Sequence, residues 1–109
     1  MDMNRHSPVV LNLHSPREKF WGILLSIGDA GVNVKGIDLN SFEDWTRAVA
    51  RGEETMGLST TFFPMHRVER INLDENIGGI QSFANIFESR VGQDVWSYLE
   101  LEEPPTQSP

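Results

Sequence analysis

Cysteine is missing from this chain of 109 residues. Its absence excludes disulfides, thiolate nucleophiles and cysteine-ligated zinc together. Positive charge is scarce as well. Nine Lys and Arg face sixteen Asp and Glu, a net charge of −7. The deficit sits mainly in residues 51–109, which hold four basic and ten acidic groups. A phosphate backbone is repelled by that half unless the few cations converge on one face. No apolar run approaches membrane-spanning length, and the opening MDMNRHSP lacks the apolar core of a secretory leader. These absences predict a protein of a reducing compartment, the cytoplasm, with no membrane role and no repeat architecture.

What is present is enough for one core. Hydrophobic residues make up 39% of the chain and include six Phe and three Trp, which suits a single domain of this length. Two β-rich blocks flank a helical one. The first reads as three strands, VVLNLH, KFWGILLSIG and GVNVKGIDL, separated by turns at Ser15-Pro16-Arg17-Glu18 and Gly28-Asp29-Ala30-Gly31. The second, STTFFPMHRVERINL, reads as two strands with a one-turn break at Pro64–His66. In the second strand Trp21, Ile23, Leu25 and Ile27 share one face, and Phe20 and Leu24 share the other. That predicts burial on both sides, or a surface that meets another subunit. The apolar parity of the third strand switches at Gly36, which predicts a bulge or a sharp bend.

Helical spacing of Phe42, Trp45 and Val49 predicts a helix over 41–51, opened by Ser41 with Asp44 three residues on and closed by Gly52. A second helix is expected over 82–91, with Phe83, Ile86 and Phe87 on one stripe and Gly92 at its end, then a short one capped by Asp94. Residues 1–8 read as a flexible lead, 9–101 as one domain, and 102–109 (EEPPTQSP) as a disordered tail. The fold class expected is mainly β with α: a small five-stranded SH3/Sm-like barrel, with a helix inserted between strands three and four and further helices at the C-terminus.

The order of strands and turns resembles the Sm-like fold, and in particular the Hfq family of bacterial Sm-like RNA chaperones. Three features carry the resemblance. These are the Gly-centred second strand Phe20-Trp21-Gly22-Ile23-Leu24-Leu25, the fourth strand Thr60-Thr61-Phe62-Phe63, and the turn Met65-His66-Arg67 leading into Val68 to Leu73. Met65 stands where that family has a Lys before the turn His, and the long helices fall elsewhere in the chain. The resemblance implies contact with single-stranded RNA at the turn, through His66 and Arg67. An SH3-like barrel without an RNA role reads equally naturally from the same strands.

Chemistry-bearing clusters are few. His14, His66 and Asp38 lack a metal-ligand spacing, and His14-Ser15 is an adjacent pair in a turn, not a triad. The acidic pairs Glu43–Asp44, Glu53–Glu54 and Asp74–Glu75 read as helix ends and solvated turns. Gly78-Gly79 lacks the pattern and the Lys of a phosphate loop. Arg67 and Glu69 share one strand face and read as a local pair, while His66, Val68 and Arg70 share the other. Trp21, Trp45 and Trp96 read as core or interface anchors, and an exposed one marks a partner surface.

The function expected is therefore a non-enzymatic interaction or assembly module that self-associates, without metal or cofactor. The alternative is a single-stranded RNA binder. The candidate contact residues for either RNA or partner are His66, Arg67, Arg70 and Trp21.

Overall fold

The computed structural model describes residues 3–53 and 57–104. Five strands are formed: β1 (Pro8–Leu13), β2 (Glu18–Ile27), β3 (Gly31–Asp38), β4 (Ser59–Pro64) and β5 (Val68–Leu73). The helices are α1 (Phe42–Ala50), α2 (Phe83–Val91) and α3 (Val95–Leu99). All strand pairs are antiparallel, in the order β4-β3-β2-β1-β5. The outermost strands β4 and β5 are consecutive in sequence, linked by a single 3-10 turn, Met65–Arg67. Across a flat sheet those edges would lie about 19 Å apart, at about 4.8 Å per spacing. The four-residue step from Pro64 to Val68 reaches at most about 14 Å. The sheet must therefore curl. It remains open, as β4 and β5 do not pair with each other.

Each face of this sheet has its own apolar core. Val9, Leu11, Leu13, Leu24, Val32 and Val34 fill the concave side, with Phe63 beside them. On the other side Trp21 and Ile23 meet Phe42, Trp45, Phe87 and Val95 from the three helices. The aromatic contacts there are close: Trp45 stacks on Phe87 at 4.9 Å between ring centroids, and Trp21 meets Phe42 edge-on at 5.2 Å. From Phe20 to Leu24 the double-sided apolar pattern of β2 thus arises because β2 is the central strand, paired with β1 and β3 and covered there on both faces, whereas Ile27 at its end stays 53% exposed. It is not a surface awaiting a second subunit.

Local details differ from expectation in instructive ways. The parity switch at Gly36 is not a bulge. Val32 and Val34 face one core throughout, whereas Ile37 and Leu39 face the helices, which cover only that end of β3. The bulge lies on the neighbouring strand β2, at Leu25 between Leu24 and Ser26, opposite Val34 and Asn33. Gly36 instead permits close strand approach. Opposite Gly22, an added Cβ would fall 2.0 Å from the Trp21 carbonyl oxygen and 2.6 Å from the Gly22 Cα.

Ser41 does not cap α1. Helical backbone already begins with the 3-10 turn Leu39–Ser41, and Asp38 caps it by accepting from the Asn40 N–H at 2.8 Å. The ends of α2 and the start of α3 match expectation: Ser82 caps α2, Gly92 ends it at φ 90°, and Asp94 opens α3.

The polar lead is tied down from His6 onward. Backbone bonds link His6 and Ser7 to Leu24, and the Trp96 indole N–H donates to the His6 carbonyl at 2.7 Å. The buried His6 ring donates from Nδ1 to the carbonyl of Glu102, joining the two ends of the fold. Residues 105–109 of the expected disordered tail lie outside the described residues.

Candidate functional site

The turn singled out by resemblance is placed as expected, on the 3-10 turn between β4 and β5, and His66 is exposed there. Arg67 is not available beside it. Its guanidinium donates to the carbonyls of His14 (3.1 Å) and Pro16 (2.9 Å) and forms an ion pair with Glu18 at 3.0 Å. Arg67 therefore straps the β1–β2 turn onto the β4–β5 turn. The pairing with Glu69 read from strand parity does not occur; Glu18 takes that role because β1 pairs with both β2 and β5, which sets the start of β5 beside the β1–β2 turn.

Trp21, a candidate contact residue, is 0% exposed and presents no surface. Its indole N–H donates to Asp74 Oδ2 at 3.0 Å. Asp74 also accepts from the N–H groups of Phe83 and Ala84, both at 2.9 Å. Those are two of the four backbone donors that any helix leaves unpaired at its start, and a carboxylate there is further favoured by the helix dipole. Asn76 Oδ1 takes the Ser82 N–H at 2.8 Å. Asp74, read as part of a solvated turn, is thus a tertiary cap that fixes α2 against β2.

Arg70 is exposed and lies elsewhere, in a groove on the helix-bearing face of the sheet. The strand register explains the groove's make-up. Asn12 pairs with Lys19 on one side and Arg70 on the other, so these three form a row across β2, β1 and β5. The next row is Trp21, Val10 and Asn72. Directly opposed residues share a face, so both rows look the same way. The far wall is the segment after β5, where Ile77 and Ile80 exchange backbone hydrogen bonds around Gly78-Gly79. The groove encloses about 320 Å³. Ile77 and Ile80 form its lip and are 66% and 75% exposed.

Charge in the groove is divided by position. Among the described residues neither Lys19 nor Arg70 makes an ion pair, since the four ion pairs are formed by Arg47, Arg51, Arg67 and Arg90. The Asp74 carboxylate is engaged with α2, which leaves Glu75 as the acidic group near the lip. Lys19, Asn12, Ile77 and Ile80 were not singled out from sequence. Two isoleucines around Gly-Gly are a hairpin signal legible in the chain. The alignment of Lys19 with Arg70 depends on two strand registers at once and is not.

Two carboxyls are held below their ordinary values, both outside the groove. A hydrogen bond from Arg90 lowers that of Glu43, with added attraction from Arg90 and Arg47. Hydrogen bonds from the Ser97 N–H and hydroxyl lower that of Asp94. Among the described residues no group of three or more His, Asp or Glu is placed to hold a metal ion. Asp38 is engaged as a cap, and His14 Nδ1 meets the Ser15 hydroxyl at 3.2 Å. No described helix is long and apolar enough to cross a membrane.

No family model matches the chain, and no curated protein or solved structure matches it.

Proposed function

We propose that this chain is a non-enzymatic interaction and assembly module of the cytoplasm, a small SH3/Sm-like barrel that self-associates through the edges of its sheet. One observation carries the reading. The end strands β4 and β5 each have an outer edge with no strand partner among the described residues, and Phe62 stands 49% exposed on β4. An unpaired edge presents a row of backbone donors and acceptors that a second strand satisfies. An exposed Phe beside it adds apolar area to the contact, and identical chains then close into a symmetric assembly. The short turn joining β4 to β5 supports the barrel, because it draws the two edges toward each other.

Light scattering behind size-exclusion chromatography tests the proposal. The intact chain is expected at twice the monomer mass or more at several hundred micromolar, and Phe62→Lys is expected to shift it toward monomer. A monomer throughout that range would remove self-association from the reading.

The alternative, a single-stranded RNA binder, is favoured by one feature. Lys19 and Arg70 converge on a single face. Two cations in a chain of charge −7 supply little phosphate affinity, so this stands second.

A further inference from the structure

We propose that the groove between β5, β1 and the Ile77–Ile80 hairpin binds a linear peptide segment of a partner protein, one carrying acidic side chains beside aliphatic ones. The site lies on a face of the sheet, not on its edges, so it stands independently of self-association.

The chemistry of the groove is graded along its length. At one end Lys19 and Arg70 flank Asn12, one strand spacing to either side, which sets them about 10 Å apart. Both are without an ion pair among the described residues. At the other end Ile77 and Ile80 form an apolar lip beside Glu75. Acidic side chains of a ligand are therefore drawn to the Lys19–Arg70 end and repelled from the lip, which receives aliphatic ones. In the next row lies the amide of Asn72, with two donor hydrogens and an acceptor oxygen, which suits the alternating N–H and C=O of a peptide backbone. A volume of about 320 Å³ lies at the small end of ligand sites and accommodates two or three residues.

A polynucleotide fits this groove less well. Single-stranded RNA is held by bases stacked on exposed aromatic rings. The aromatic side chain lining the groove is Phe83, which is half-buried with its ring against Phe42 at 5.1 Å.

A displayed library of random heptapeptides, selected against the intact protein, tests the site. The expected enrichment is for Asp or Glu next to Ile, Leu or Val. A labelled peptide made from the enriched sequence is then titrated by fluorescence anisotropy. Lys19→Glu with Arg70→Glu is expected to weaken binding at least tenfold. Ile77→Ser with Ile80→Ser is expected to weaken it several-fold, and both Ile side chains are exposed enough to be replaced without unfolding the chain. Arg17→Glu, an exposed cation outside the groove, is expected to change nothing. Enrichment of basic sequences, no enrichment, or binding that survives both double substitutions overturns the proposal. So does tight binding of a ten-nucleotide uridine RNA that the same substitutions abolish, since the groove would then serve RNA.

Discussion

Asp74 precedes the helix it caps by nine residues, and no local motif announces it. Its two oxygens serve the first backbone donors of α2 and the indole of Trp21. Removing them loses a cap, worth about 0.5–2 kcal/mol. It also leaves a buried indole N–H unpaired, at about 1–3 kcal/mol. Asp74→Ala is accordingly expected to lower stability by about 2–4 kcal/mol in urea unfolding. Asp74→Asn is expected to fall between, because its amide nitrogen cannot accept. Trp45 is 0% exposed and stacked on Phe87, and Trp45→Ala is expected to cost roughly 3–5 kcal/mol. A solvent-like emission maximum from a variant retaining Trp45 alone would contradict that burial. At Gly36 a methyl group meets backbone first, the Trp21 carbonyl oxygen and the Gly22 Cα, which cannot swing aside, so Gly36→Ala is expected to destabilise by roughly 1–3 kcal/mol.

At the scale of elements, α1 and α2 are joined on their polar sides as well as through their apolar stripes. Arg90 of α2 forms an ion pair with Glu43 at 2.8 Å and donates to Thr46 Oγ1 at 3.1 Å, while Thr46 donates to the Glu43 carbonyl. The carboxyls of Glu43 and Asp94 both titrate below their ordinary values of 4.5 and 3.8. A carboxyl lowered in the folded state stabilises it fully above the unfolded value and loses that contribution as pH falls through the folded one. Stability is therefore expected to decline as pH drops below about 4.5, and Glu43→Gln is expected to flatten part of that decline. Thermal midpoints measured from pH 6 to pH 3 check this; a wild-type midpoint that rises on acidification has the wrong sign. At an exposed pair the size of the effect is small.

For the whole molecule, charge and strand order decide what the surface can do. The pairing of β1 with both β2 and β5 sets the β1–β2 turn beside the β4–β5 turn and engages Arg67 internally, which leaves Lys19 and Arg70 as the cations gathered in the groove. Any RNA binding at that groove is then expected to be weak at physiological salt. Its log–log salt dependence should be no steeper than about −1.4, two contacts at about 0.7 each for a single strand. A steeper slope in a titration from 50 to 200 mM salt would place additional cations at the interface.

What the chain determined by itself is what depends on near neighbours. The five strands, the turn at Pro64–His66, the helix around Trp45 and the Gly92 stop were all legible, because period, turn chemistry and caps act within a few residues. The burial of both faces of β2 was also legible as an alternative, though not which alternative held. Only the tertiary structure made β2 central and so buried Trp21, Ile23 and Leu24 away from any partner. Likewise it was register, not composition, that set Lys19 beside Arg70, gave Arg67 to Glu18, buried Trp21 and turned Asp74 into a cap. The Lys19–Arg70, Glu18–Arg67 and Trp21–Asp74 pairings each join residues about fifty positions apart. Their meeting is set by which strands pair and in what register, and local spacing carries no record of either.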